Sequence, residues 1–535
     1  MGKALTMGKT SATGSFQLFV GRIASTLMLA IGTLIVGLYI SDVEYGLYTI
    51  ALVPAATFLL FQDWGIGPAL TKYCANYRAA KREEELRKII VAGVTFEIIT
   101  GITLTLISVL TASVVASNLL GNPESTFLVA VASTTIFFTA IYAVSLSIFV
   151  GFERMKLGTI TMIVSATVQG LFSPFLVYLG FGALGAIAGF TISQVASGIT
   201  GAALLYFVIF RKLSSTKKNI MKFSQALRPM LRFGIPLSIA TIIGGITTQI
   251  YSFLMASYTQ LAMIGNFRIA TNFALFLTFF TYPIQTVLFP AFSKLDPSKD
   301  KQLLKTVFAS SVKYTSLFLV PATFALMVLS FPMINTIYGD KWLFAPFFLI
   351  LYIVSNSVVL LGSLSLSQIL TAMGETKMLM KLKTLTFCIG VPLAFLLIPP
   401  LGIIGLIIVS TLVAGWPSMI WGLYWIWKRY DTKADLRNSS KILLASVVSG
   451  LTTFLFLNSF VAPALIMLVG GAILFLIVYL ISIPLFGAVN QMDIANLRTM
   501  FSGLGPIAKL LNIPLVLVEK PLKFKNKRSD IRKQK

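Results

Sequence analysis

The chain has 535 residues, of which 56% are hydrophobic and 11% charged, and its formal net charge is +25. Soluble globular domains average about 25% charged residues, so these values and the mean hydropathy of +0.88 exclude a soluble fold. The chain contains no histidine, which removes His-based acid–base chemistry and the commonest transition-metal ligand. The sequence also contains no Walker-type phosphate loop. We therefore predict no catalytic residues, no metal site and no cofactor, and we disfavour an ATP-driven pump and a membrane metalloenzyme.

Long apolar stretches follow one another through almost the whole chain. A helix needs about 20 largely apolar residues to cross the hydrocarbon core of a bilayer. The stretches are too long and too uniformly apolar for the alternating strands of about 10 residues that build membrane barrels. We predict an all-α polytopic membrane protein with fourteen transmembrane helices over residues 14–40, 47–70, 89–117, 126–150, 159–179, 183–210, 233–257, 264–289, 306–330, 346–370, 384–399, 403–427, 442–460 and 464–486.

The basic residues fall in alternate gaps between these spans. All but four of the 43 Lys and Arg residues lie in residues 1–13, 71–88, 151–158, 211–232, 290–305, 371–383, 428–441 and the tail after 486. Lys and Arg near span ends are retained on the cytoplasmic side. This pattern predicts a cell-membrane protein with both termini in the cytoplasm, in agreement with an even number of spans. The charge orients the spans and meets anionic lipid headgroups, so we do not expect a nucleic acid partner.

A weak internal repeat relates two parts of the chain. Residues 44–51 (EYGLYTIA) align with 263–270 (MIGNFRIA), which places Gly46 opposite Gly265. The pairs Lys72/Lys294 and Glu153/Glu375 share one sequence offset. Each copy holds six predicted spans, so the copies enter the membrane from the same side, as in several secondary transporters with parallel repeats.

The repeat predicts the domain organisation. The predicted parts are an N-lobe at 1–210, a basic cytoplasmic linker at 211–232, a C-lobe at 233–428, two extra helices within 429–486 and a basic cytoplasmic tail at 487–535. Apolar residues at helical spacing in 491–511 predict a short helix. This helix either lies on the cytoplasmic leaflet or packs under the bundle.

Ionisable side chains within the spans are functional candidates, because each costs at least about 2.5–3.5 kcal/mol on insertion scales. Arg22, Asp63 and Glu97 each lie about eight residues from the cytoplasmic end of the first, second and third span. At about 1.5 Å per residue this is a depth of about 12 Å. One cation and two carboxylates are therefore predicted to share a layer of the membrane.

The second copy adds cations and amides. Lys313 enters span nine to a similar depth, and Arg268 lies near the outer end of span eight. Gln249 and Gln285 lie in spans seven and eight. The predicted substrate-cavity residues are Arg22, Lys313, Arg268, Gln249 and Gln285.

Each candidate also has a simpler structural explanation. In the structural explanation, Asp63 or Glu97 pairs with Arg22 and holds the lobe together. In the functional one, the two acids exchange H⁺ or Na⁺ as coupling groups. Arg268 can extend to a lipid headgroup instead of binding a ligand. Lys313 is hardest to explain in this way, because no span of its own lobe supplies a carboxylate.

Two short motifs near the N-terminus carry a resemblance to a known family. They are D-x-E-Y-G-x-Y (Asp42, Glu44, Tyr45, Gly46, Tyr48) and W-G-x-G-x-A-x-x-K (Trp64, Gly65, Gly67, Ala69, Lys72). Through the fourteenth span, the chain resembles the Wzx-type polysaccharide-biosynthesis flippases, including archaeal ones. These are members of the multidrug/oligosaccharidyl-lipid/polysaccharide (MOP) exporter superfamily.

The resemblance implies two six-helix lobes arranged as a V around a central cavity. It implies that a polyprenyl-pyrophosphate-linked oligosaccharide crosses the membrane by alternating access. Basic cavity residues are expected to meet the pyrophosphate, and Arg22 matches that pattern by position. Arginine can bind phosphate through two parallel hydrogen bonds, whereas lysine acts as a point charge. The expected partners are the lipid-linked substrate, membrane lipids, and glycosyltransferases or the polymerase of the same pathway.

Three other classes remain open from the sequence. A cation- or proton-coupled drug antiporter of the same superfamily would use Asp63 and Glu97 as exchangeable ion sites, but three in-span cations against two acids disfavour it. A scaffold protein of an export complex would recruit acidic partners through the basic tail. A membrane glycosyltransferase usually needs an acidic site in a loop, and the predicted outer loops are short and nearly uncharged.

Overall fold

The computed structural model describes residues 2–213, 223–297, 299–459, 461–502, 515–516 and 518–519. Every regular element within these ranges is a helix. The prediction of an all-helical protein is confirmed.

The helices of the first half of the chain are α1 (Gly2–Tyr39), α2 (Asp42–Leu59), α3 (Ile66–Ala79), α4 (Glu83–Leu110), α5 (Ala112–Asn118), α6 (Thr126–Ser133), α7 (Thr135–Gly151), α8 (Met155–Leu176), α9 (Gly182–Leu204), α10 (Phe223–Tyr258) and α11 (Leu261–Ala274). Those of the second half are α12 (Thr278–Ser293), α13 (Lys301–Val328), α14 (Ser330–Tyr338), α15 (Ala345–Ile353), α16 (Ser363–Ala372), α17 (Thr376–Leu401), α18 (Ile403–Ile407), α19 (Gly415–Tyr430), α20 (Leu436–Ser459), α21 (Ala464–Leu485) and α22 (Gln491–Ser502). Short 3-10 or π turns occupy 123–125, 177–181, 205–212, 275–277, 339–341, 354–361 and 408–413.

The chain folds into two compact units. Unit 1 comprises Met1–Asn272 and Lys383–Ala414, and unit 2 comprises Phe273–Leu382 and Gly415–Lys535. The predicted boundaries of the N-lobe, the linker and the C-lobe stay a prediction. Most of the predicted linker, 214–222, lies outside the described residues.

The described part contains ten helical segments long and apolar enough to cross a membrane, or up to twelve if each of two bent pairs counts as one span. One of the ten, Met155–Lys212, has 58 residues, or about 87 Å at 1.5 Å per residue, which exceeds the thickness of one bilayer core. This segment turns at Gly180 and Gly182, whose φ values of 91° and 49° favour glycine, and α8 and α9 pack along each other. The total of fourteen spans stays a prediction.

The first motif begins α2 with a capping box. The Glu44 N–H donates to the Ser41 hydroxyl at 3.2 Å, and the Ser41 N–H donates to the Glu44 carboxylate at 3.3 Å. Such reciprocal bonds satisfy two N–H groups that a helix start otherwise leaves unpaired. The polar residues of the motif therefore define where α2 begins.

The glycines paired by the repeat make a reciprocal contact between α2 and α11. A Cβ on Gly46 would lie 2.1 Å from the Leu261 carbonyl oxygen, and a Cβ on Gly265 would lie 2.1 Å from the Asp42 carbonyl oxygen. Both glycines are needed because the two backbones touch. Reciprocal contacts are what a two-fold relation between equivalent elements produces, which supports the duplication inferred from the sequence.

We expect Gly46→Ala and Gly265→Ala each to lower the unfolding free energy by about 1–3 kcal/mol, since an added methyl must push two helix backbones apart. Thermal unfolding in detergent measures this loss. Gly244→Ala is the matched control, because a Cβ on that α10 glycine has no heavy atom within 4 Å. Equal midpoints for all three variants would contradict the close approach.

Candidate functional site

The second predicted span is broken between α2 and α3, and the second motif lies at the break. Trp64 and Gly65 both have positive φ, 45° and 79°, which turns the chain before α3 begins. A Cβ on Gly65 would lie 2.3 Å from the Gly234 backbone of α10. Two further motif positions pack nearby: Ala69 is fully buried, and the Lys72 ammonium lies 4.1 Å from the centre of the Phe233 ring. The motif therefore shapes a bend rather than contributing a charged site.

This break brings Asp63 and Glu97 together. Glu97 is only 1% exposed on α4, and Gln62 donates its side-chain N–H to the Glu97 carboxylate at 2.7 Å. The Asp63 carboxyl lies within hydrogen-bonding reach of Glu97. The other interaction of Asp63 is with the start of α3, where the Gly67 N–H donates to Asp63 Oδ1 at 2.6 Å. The two acids are therefore neighbours in the structure, while their common depth in the membrane stays a prediction.

Arg268 lies on α11 against two buried tyrosines of α2. The rings of Tyr45 and Tyr48 stack with centroids 5.7 Å apart and an interplanar angle of 9°, and both hydroxyls lie within hydrogen-bonding reach of Arg268. Asn272 donates its amide N–H to the Tyr45 hydroxyl at 2.9 Å. Arg268 Nε is buried and has no hydrogen-bond partner in the described part of the chain. The result is a cation beside the hydroxyl groups of two stacked tyrosines, which we call the Arg268 cluster (Tyr45, Tyr48, Arg268, Asn272).

Sequence reasoning missed the tyrosines and Asn272 as site residues. Tyr45 and Tyr48 were visible only as members of a family motif, and nothing in that motif indicates a partner on α11. The one available signal was the internal repeat, which aligns 44–51 with 263–270 and so pairs the segment of the tyrosines with the segment of Arg268.

Lys313 has a carboxylate partner that the sequence argument did not consider. Its ammonium lies 2.6 Å from the Asp493 carboxylate, and the two side chains are only 15% and 9% exposed. Asp493 belongs to α22 in the predicted tail, outside the predicted spans. Lys313 is therefore neutralised by a residue outside the spans of its own lobe, while its contact with substrate stays a prediction.

The remaining candidates lie on α1, α10 and α12. Arg22 is exposed on α1 and acts electrostatically on Tyr142 of α7. Gln249 on α10 and Gln285 on α12 are half-buried. Their roles as cavity residues stay predictions.

The fold is that of a known class of multi-pass membrane transporter. The structure matches the lipid II flippase MurJ in an inward closed conformation with a TM-score of 0.71 at 18% identity, over 88% of this chain and 98% of MurJ. It matches an inward-facing multidrug resistance MATE family transporter of the MOP superfamily with a TM-score of 0.61 at 17% identity, over 78% of this chain and 99% of the transporter. Identities this low show the shared fold alone.

Sequence comparison identifies the family of the chain, whereas the structural matches show only its fold. A family model described as "Polysaccharide biosynthesis protein" matches residues 15–346, more than half of the chain. The protein therefore belongs to the polysaccharide biosynthesis protein family, which confirms the resemblance drawn from its motifs.

The curated relatives are distant. The chain is 25% identical to the lipopolysaccharide biosynthesis protein WzxC of Escherichia coli K12 over 326 residues, 60% of this chain and 62% of WzxC. It is 21% identical to the stage V sporulation protein B of Bacillus subtilis, over 70% of this chain and 78% of the relative. It is 20% identical to the probable low-salt glycan biosynthesis flippase Agl15 of Haloferax volcanii, over 57% of this chain and 66% of Agl15. The chain thus spans less than two thirds of the length of WzxC and Agl15.

We expect Gln62→Leu to lower the unfolding free energy by about 1–3 kcal/mol, because the buried Glu97 carboxyl would lose a hydrogen-bond donor. Chemical unfolding in detergent measures this. Glu97→Gln is the matched variant: its amide oxygen still accepts from Gln62, and its N–H can donate to Asp63. If Glu97→Gln destabilised the protein as much as Gln62→Leu, the proposed arrangement of the pair would be wrong.

Proposed function

We propose that this protein is a flippase that translocates a polyprenyl-(pyro)phosphate-linked oligosaccharide across the cytoplasmic membrane by alternating access. The glycan would serve polysaccharide or glycoprotein glycan assembly. The family, the flippase named among the relatives and the fold shared with a lipid II flippase support this proposal. The observation that carries it is the Arg268 cluster.

The Arg268 cluster has the chemistry of an anion site. None of the ion pairs within the described ranges involves Arg268, and one of its nitrogens is buried without a partner there. A cation in a membrane span is expensive unless a partner is supplied. A phosphate oxygen can accept from a guanidinium through charge-assisted hydrogen bonds, so the phosphate of a lipid-linked substrate fits Arg268.

The other predicted cavity residues complete the proposal. Arg22, exposed on α1, would supply a second phosphate contact nearer the cytoplasmic side, and Gln249 and Gln285 would bond to sugar hydroxyls. The alternation of basic segments supports an orientation with both termini in the cytoplasm, where the lipid-linked substrate is assembled. Glycosyltransferases or a polymerase of the same pathway would be the protein partners.

The acid pair is a candidate for energy coupling. Glu97 is buried and Asp63 is half-buried beside it, and a shared proton relieves the repulsion between two neighbouring negative charges. Asp63 and Glu97 would therefore release and bind a proton as the site opens to either side. Na⁺ coupling is the alternative for the same two residues.

We expect Arg268→Ala and Arg22→Ala each to lower flipping by about ten- to a hundred-fold, because each removes a charge-assisted hydrogen bond to phosphate. The measurement is the transfer of a fluorescent polyprenyl-pyrophosphate oligosaccharide across liposomes that contain the purified protein. Lys341→Ala, which removes an exposed cation beside Trp342, is the matched control and should flip normally. Full activity of a folded Arg268→Ala variant would remove the main support for the proposal.

We expect the flipping rate of the wild type to respond to an imposed pH gradient. We expect Asp63→Asn and Glu97→Gln each to abolish that response, because the remaining carboxyl group has lost the partner with which it shares a proton. The liposome assay with a pH gradient or a Na⁺ gradient alone measures this. Asp340→Asn, at an exposed position, should keep the response. A response to Na⁺ alone would replace the proton with Na⁺ as the coupling ion.

A drug antiporter remains the second candidate, because the MATE transporter shares the fold and the acid pair suits a cationic ligand. Efflux of a cationic dye that depends on Asp63, by a protein that does not move the lipid-linked oligosaccharide, would favour this function.

A further inference from the structure

The Lys313–Asp493 ion pair belongs to a larger polar group. The Tyr314 hydroxyl donates to Asp493 Oδ1 at 3.3 Å, and Asn496 donates its amide N–H to the Tyr314 hydroxyl at 3.1 Å. Lys313 and Tyr314 lie on α13, and Asp493 and Asn496 lie on α22. Two consecutive residues of a membrane-spanning helix are therefore bonded to two residues of the C-terminal helix.

Asp493 also caps the helix to which it belongs. The Asn490 N–H donates to Asp493 Oδ2 at 2.8 Å, and the Asp493 N–H donates to Asn490 Oδ1 at 2.8 Å. A carboxylate in the first turn is favoured by the helix dipole as well. One side chain thus closes the first turn of α22 and neutralises Lys313.

Apolar contacts and further hydrogen bonds hold the same region. Ile494 and Leu497 are 3% and 2% exposed. The Tyr479 hydroxyl of α21 donates to the Leu317 carbonyl of α13 at 2.8 Å, and Lys441 of α20 donates to the Gly487 carbonyl just before α22 at 3.0 Å. Leu497 lines an apolar cavity of about 450 Å³ together with Leu317 and Tyr479. If α22 left its place, this cavity would lose one wall.

We propose that Lys313 and Asp493 form a clasp that fixes the C-terminal helix α22 to α13, and that this clasp is the function of Lys313 in place of a substrate contact. The two charges neutralise each other, and α22 moves with α13 and keeps Leu497 in the wall of the cavity. Breaking a buried pair by removing one partner leaves an uncompensated charge, whereas removing both charges is far less costly. This difference separates the clasp from a substrate-binding role.

The test compares Lys313→Met, Asp493→Asn and the double variant Lys313→Met/Asp493→Asn. Asn at 493 keeps an acceptor for the Asn490 N–H. We expect each single variant to lower flipping by about ten-fold or more and the double variant to recover to within about two-fold of wild type, as expected when only the unpaired charge is harmful. The apparent affinity for the lipid-linked oligosaccharide should stay unchanged throughout.

A second measurement does not depend on the proposed flippase activity. Leu497→Cys is introduced into a chain whose native cysteines, Cys74 and Cys388, are replaced by serine, and its reaction with a water-soluble maleimide is followed. The clasp predicts slow labelling with the intact pair, labelling at least about ten-fold faster in each single variant, and slow labelling again in the double variant.

The outcomes separate the alternatives. Protected Leu497→Cys in Lys313→Met, together with lost flipping that the double variant does not restore, would overturn the clasp and return Lys313 to the substrate site. Uniform labelling in all four backgrounds would overturn it as well. If the wild type flips no lipid-linked oligosaccharide, the proposed function fails, while the labelling pattern still decides whether the clasp exists.

Discussion

The cost of an uncompensated charge in the membrane is the constraint on which this structure depends. A hydrocarbon environment offers no water to solvate an ionised side chain, so each such group must find a partner in the protein or in a ligand. The described residues meet this requirement in different ways. Lys313 is paired with a carboxylate, Glu97 accepts a hydrogen bond from Gln62, and Arg268 lies beside two tyrosine hydroxyls.

The difference in their partners separates charges that stabilise the fold from charges that are available to a substrate. Lys313 and Asp493 neutralise each other, and the hydrogen bonds of the Tyr314 hydroxyl also join α22 to α13. Arg268, by contrast, takes part in no ion pair among the described residues, so its charge is available to an anion. A cation paired with a carboxylate contributes to the fold. A cation without such a partner costs free energy, and a bound anionic ligand offsets that cost.

Close backbone contacts make these arrangements possible. Gly46 and Gly265 let α2 and α11 touch, which places the tyrosines of α2 beside Arg268. Gly65 lets the bend after α2 meet the α10 backbone, and that bend turns Gln62 and Asp63 toward Glu97. The glycines of the two family motifs therefore contribute geometry, and the neighbouring polar residues contribute the chemistry.

The sequence by itself determined the class of the protein: apolar length, composition and two local motifs are enough for a multi-pass helical membrane protein of this family. It also located the charges, because a charged residue inside an apolar stretch is visible without any structure. Only the tertiary structure decided how those charges are compensated. Asp493 lies 180 residues from Lys313, and Asn272 lies 227 residues from Tyr45. Local patterns depend on neighbours along the chain, whereas pairing in a membrane depends on which helices touch.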